Sequence, residues 1–221
     1  MRVHTKEGYY PSGALQVRSH YLGDKLHRED GPAYEWFYEN GQLTTYEWCS
    51  NGNLHRLGAP ARESFYENGN ILIRTWRIHG NRHREDGPAR ESFYNNGTIR
   101  VREWYLDDRA HREDGPAMES FYKNGILESR AWWIDGKQHC VDSPAYETFY
   151  GNGALASRKW YHNNEQHRLD GPAEKYFSED GRRTSARYAL DGVYVSKAEH
   201  RRRVALLHLS IKHAVDQRVL L

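Results

Sequence analysis

No stretch of this 221-residue chain holds enough consecutive apolar residues for a membrane-spanning helix or the core of a secretory signal. Cysteine is nearly missing: Cys49 and Cys140 are the two in the chain, too few to frame a disulfide-stapled secreted domain. A reducing compartment, the cytoplasm, is the expected location. Charge of one sign is lacking too. The 32 basic residues stand against 30 acidic ones, a net of +2, so the overall charge favours neither nucleic acid nor anionic membrane. Apolar residues make up 38% of the chain, but Tyr numbers 16 and Trp 7. Aromatic rings must therefore supply much of the buried area.

What is present is a repeat. The stretch "HREDGPARESFYNNG" from His83 is nearly copied as "HREDGPAMESFYKNG" from His111, and related elements start at His27, His55, His139 and His167, always 28 residues apart. A fixed period of this size marks an array in which each unit buries its surface against its neighbours. The chain divides into an N-terminal half repeat (1–26), six repeats (27–194) and a C-terminal tail (195–221).

Within a unit the signals are those of antiparallel strands: alternating runs punctuated by Asn68-Gly69 and His79-Gly80, then by Gly87-Pro88. A two-residue loop at Asn68-Gly69 sets Glu63 opposite Arg74. The same rule pairs Glu7 with Arg18, Glu91 with Arg102, Glu119 with Arg130 and Glu147 with Arg158. A turn centred on His79-Gly80 then sets Trp76 opposite His83, so the histidine reads as a stacking and hydrogen-bonding partner of a tryptophan once per repeat. The fold expected is mainly β: an elongated, single-layer antiparallel sheet of repeated hairpins.

The histidine and its acids could in principle serve acid–base chemistry. An enzyme, however, needs one site and not six copies, and no Ser or Cys accompanies the histidine regularly. Successive histidines would stand about 10 to 14 Å apart across the sheet, too far to share a metal ion. No catalytic residue, metal or cofactor is therefore assigned. The informative positions are those that break the pattern: Leu57, Gly58 and Ala59 in repeat two, and Cys140, Val141 and Ser143 in repeat five.

The hairpin unit with "FYxNG", a following Trp and a D/N-G turn resembles the MORN-like repeats over Gly8 to Gly192, in particular a longer subtype carrying HREDGPA found in bacterial, phage and giant-virus proteins. The resemblance implies an elongated sheet of hairpins serving as a binding or scaffolding module. Some bacterial members are described as antitoxins.

The tail differs. Ser196 and Glu199 form a capping-box pattern, and Val204, Leu207, Ile211 and Val215 recur at helical spacing, so a helix is expected to cap the last repeat. Its arginines, Arg201 to Arg203, together with the aromatic face, support a nucleic-acid contact as the second reading. The first reading is a non-enzymatic protein binder acting as inhibitor, immunity factor or scaffold, including a phage or viral antagonist of a host protein. Repeat proteins bind by varying residues on a constant frame. Here the variation is seen at Tyr34, Arg62, Arg90, Met118, Tyr146 and Glu174. The partner is accordingly placed on the tyrosine face, at Tyr94, Met118, Tyr122, Tyr146 and Tyr150.

Overall fold

In the computed structural model, which describes residues 2–141 and 143–219, long hairpins follow one another in chain order to build a sixteen-stranded antiparallel sheet. In repeat two the long hairpin is Arg62–Phe65 with Ile71–Thr75, and a short one, Arg77–Ile78 with Asn81–Arg82, follows it. The short hairpins form five separate two-stranded ladders. Backbone bonds link each to the next, as from the Gly80 N–H to the Leu54 carbonyl (2.8 Å) and from the Arg56 N–H to the Arg77 carbonyl (3.1 Å).

The turns correct one expectation. At Asn68-Gly69 only the glycine has positive φ (82°). Tyr66 closes the loop, its N–H donating to the Asn70 carbonyl and its own carbonyl accepting from Gly69. The loop thus has three residues, ending in a left-handed glycine. The register nevertheless returns to the expected one, because Phe65 pairs with Ile71 while Ser64 pairs with Ile73, leaving Leu72 as a bulge. The extra loop residue and the bulge cancel, so Glu63 still faces Arg74. The same shift recurs in every long hairpin, with Arg100, Glu128 and Ala156 bulged in repeats three to five. The type I′ geometry belongs instead to the short hairpins. Both central residues there have positive φ, 50° at His79 and 92° at Gly80, and Arg77 pairs with Arg82 as expected.

A line of charge crosses the sheet in register: Glu7, Arg18, Glu35, then after Tyr46 the run Glu63, Arg74, Glu91, Arg102, Glu119, Arg130, Glu147 and Arg158. Each arginine but the last lies between two acids; Arg158 has Glu147 on one side and Lys175 on the other. Arg74 is 3.5 Å from Glu63 and 3.8 Å from Glu91, whereas Arg102 reaches across to Glu119 of the next hairpin at 3.8 Å. Three of these arginines also sit over the next phenylalanine ring, Arg74 at 5.2 Å from Phe93, Arg102 at 5.5 Å from Phe121 and Arg130 at 5.5 Å from Phe149. Tyr46 fills the gap in the line by donating to Glu63. Desolvation first, and that bond second, push its hydroxyl up to about 12.

The core is thin. Ala33, Ala61, Ala89, Ala117, Ala145 and Ala173 are fully buried, one per repeat, where backbones cross: the Trp76 N–H donates to the Ala89 carbonyl and Trp104 N–H to that of Ala117. Cys49 is a buried free thiol, and burial pushes it up to about 12.

The helix Lys197–Val219 follows the last repeat. Ser196 accepts the Glu199 N–H at 3.1 Å, so the cap forms. The Glu199 carboxylate, however, turns to Arg202 (2.8 Å) and Arg203 (2.6 Å), which hold it down at about 2. The expected apolar seam does not seat the helix: Leu207 and Ile211 are 42% and 53% exposed, and the Val215 side chain lies outside the described residues. Contact comes from the first turns, where buried His200 bonds the Arg168 carbonyl (2.7 Å) and packs on Tyr188.

Candidate functional site

The HREDGP segment folds as an arch whose residues each have a partner within the array. The histidine N–H donates to the tryptophan carbonyl across the short hairpin, as for His83 and Trp76 (3.2 Å). Its ring does not stack on that tryptophan as the sequence suggests. It turns to the following short hairpin, 24 residues on, where Nδ1 accepts the N–H of the tight turn: Asn51 to His27, His79 to His55, Asp135 to His111 and Asp191 to His167, at 3.1–3.2 Å. The tryptophan face is covered instead by the arginine one residue on, with Arg84 4.1 Å from the Trp76 centroid and Arg112 4.2 Å from Trp104. Arg84 also bonds Asp86 (2.8 Å), which draws that carboxyl below its usual range. A Cβ at Gly87 would lie 2.8 Å from the Arg84 guanidinium carbon, a flexible end that can shift: in repeat two Ala59 holds the same place and Arg56 still lies 4.0 Å from the Trp48 centroid.

The tyrosine ladder is a second link between repeats. Each hydroxyl donates to a phenylalanine carbonyl 27 residues on: Tyr66 to Phe93, Tyr94 to Phe121, Tyr122 to Phe149 and Tyr150 to Phe177, at 2.7–3.0 Å. The tyrosines therefore have a structural task whether or not they meet a partner.

The five proposed contact residues separate as follows. Tyr122, Tyr146 and Tyr150 line one open concavity of 490 Å³, together with Phe149 and the hydroxyls of Ser120, Ser129 and Thr148. The bulged residues Glu128 and Ala156 also border it. Met118 packs elsewhere, on the small core of Ala89, Tyr105 and Ala110 beside Trp133. Tyr94 lies one repeat earlier, with Arg100 5.8 Å from its ring. Glu128 and Ala156 had no sequence signal, because the compensating loop and bulge leave the charge register unchanged. Along this face the hairpin position held by Ser64, Ser92, Ser120 and Thr148 in the middle repeats becomes Trp36 and Tyr176 in the first and sixth.

The arches themselves bound a second set of grooves. Between repeats three and four a groove of 550 Å³ is lined by Arg84, Glu85, Asp86, Trp104, Arg112, Glu113 and Asp114, among others. The groove at the corresponding place between repeats five and six has the same volume but is lined by His139, Cys140, Val141, Trp160, Tyr161, His162 and Leu169, with Arg168 and Asp170. Among the described residues no group of three or more His, Cys, Asp or Glu is placed to hold a metal ion, and no helix is long and apolar enough to cross a membrane.

A family model described as a MORN repeat variant matches residues 33–47, the long hairpin of repeat one, and supports a MORN-like repeat protein. No curated protein matches the chain. Among solved structures, the crystal structures of TcdB2-TccC3-TEV and TcdB2-TccC3-Cdc42 align at 10% identity with TM-scores of 0.21 and 0.18. The alignments cover 85% and 82% of this chain and 11% and 12% of those chains, so the chain spans about a ninth of their length.

Proposed function

We propose that this MORN-like array is a non-catalytic binding protein that holds a protein partner against the concavity formed by repeats four and five, acting by occupying the partner's surface as an inhibitor, immunity factor or scaffold. The observation that carries this reading is the convergence of Tyr122, Tyr146 and Tyr150 around a floor of small hydroxylated side chains. Tyrosine gives a large contact area with little loss of side-chain freedom, and here Tyr122 and Tyr150 are held in place by their hydroxyl bonds to the next repeat. Such preorganisation lowers the entropic cost of binding. The small floor residues of the middle repeats, closed off by Trp36 and Tyr176, centre the surface on the array. The arginines of the helix add little to a nucleic-acid reading, because Arg202 and Arg203 are already paired with Glu199.

The test uses the bulged residues, which border the concavity without entering the ladder. Glu128→Arg combined with Ala156→Arg is expected to weaken partner capture from native cytoplasm at least tenfold, read by quantitative mass spectrometry, while the thermal midpoint stays unchanged. Tyr122→Phe should do the reverse, lowering stability by about 1 kcal/mol through the lost bond with a smaller effect on capture. Undiminished capture by the arginine variant would sink the placement.

A further inference from the structure

The groove between the fifth and sixth arches differs from its counterpart two repeats earlier in ways the frame does not need. Glu85 and Glu113 line the earlier groove; the equivalent positions here are Val141 and Leu169. Val141 is 70% and Leu169 38% exposed, so one groove presents two apolar side chains to solvent. Cys140 stands where Arg84 covers a tryptophan, and Ser143 where the third repeat has Gly87. The groove keeps its 550 Å³ and, among the described residues, has Val141 and Leu169 in place of two glutamates, with Asp170 retained.

Two polar atoms on the lining residues lack partners that their counterparts have. His139 Nδ1 is buried with no hydrogen bond, where His27, His55, His111 and His167 each accept a backbone N–H. Arg168 Nη1 is also buried and unbonded, where the same nitrogen of Arg56, Arg84 and Arg112 reaches a proline carbonyl. Both can donate to an acceptor, the histidine in its Nδ1-protonated form.

We infer that this groove binds a partner-protein segment in which apolar side chains alternate with carboxylates. The apolar side chain packs between Val141 and Leu169, and the carboxylate meets His139 Nδ1 and Arg168 Nη1, the guanidinium nitrogen that the ion pair of Arg168 with Asp170 (2.6 Å) leaves unbonded. A polypeptide suits the shape better than a small anion, because a second concavity of 370 Å³ adjoins the first through Leu169 and Asp170. That extension presents Val204 with Lys197 and Arg201, repeating the apolar-plus-basic character along the same path. A strand-like or loop segment passing from arch five to the helix would meet it twice. This site lies apart from the tyrosine concavity and can succeed or fail independently of it.

The measurement is fluorescence anisotropy on the full chain with three labelled ten-residue probes: alternating Leu and Asp, alternating Leu and Asn, and alternating Leu and Lys. The Leu/Asp peptide is expected to bind at least tenfold more tightly than the other two. Val141→Glu with Leu169→Glu restores the residue found at Glu29, Glu85 and Glu113, so the arch keeps its fold, which an unchanged circular dichroism melt verifies. This variant should bind the Leu/Asp probe at least tenfold more weakly. The pair Glu128→Arg and Ala156→Arg should bind it as the parent does, which separates this site from the tyrosine concavity. Equal affinity for the acidic and neutral probes, or an undiminished affinity in the double-glutamate variant, overturns the inference.

Discussion

Glutamine at position 147 is expected to lower the unfolding free energy by about 3 kcal/mol, the low end for breaking a buried ion pair. Glu147 is 2% exposed and accepts from two guanidiniums, Arg130 at 2.6 Å and Arg158 at 2.7 Å. The amide keeps the shape but withdraws the charge, leaving both arginines without a counterion on that side. Their side chains are 39% and 45% exposed, so water recovers part of the loss, which places the cost at the lower end of the range. Glu119→Gln is the internal control. Its ion-pair partner, Arg102, is 3.8 Å away, and such a loose, partly solvated pair contributes at most about 1 kcal/mol. Urea titrations of the two variants should therefore differ clearly in midpoint. Equal losses would mean that the charge line contributes through its register alone.

The second large effect is expected at Trp160. This ring is 9% exposed, with Arg168 3.9 Å and Lys175 5.0 Å from its centroid. Truncation to alanine removes a large buried surface and the platform for both cations, at a cost of about 3–5 kcal/mol. In an array whose repeats contact mainly their neighbours the damage should stay local. Hydrogen exchange is expected to lose protection in repeat six and the start of the helix, where His200 is anchored to the Arg168 carbonyl, while repeats one to three keep theirs. A uniform loss along the chain would show that the array unfolds as a single unit, and no loss would show that the tryptophan is peripheral.

The period, the antiparallel hairpins and the pairing of Glu63 with Arg74 were all legible in the sequence, because complementary charges and turn residues recur every 28 positions. The loop length was not. A three-residue turn followed by a bulge at Leu72 gives the same charge register as a two-residue turn, so the pairing rule cannot separate them, and Glu128 and Ala156 went unnoticed at the concavity's rim. The role of the histidine was half legible: its backbone partner across the short hairpin follows from turn counting, but its ring partner lies 24 residues on, at the turn of the following short hairpin, a contact that depends on how successive short hairpins stack. The same holds for the arginine over the tryptophan and the tyrosine hydroxyl on the phenylalanine carbonyl. The helix was placed correctly, yet its apolar spacing overstated its contacts, since the side chains of Leu207 and Ile211 remain exposed.

The account holds that recurring residues bind repeat to repeat and that a protein partner rests on the concavity between Tyr122 and Tyr150. Hydrogen–deuterium exchange on the array with its captured partner tests this most directly. Protection gained at 120–129 and 146–156, above that of the free chain, is the predicted result. A complex in which those two segments exchange as fast as in the free chain would contradict it.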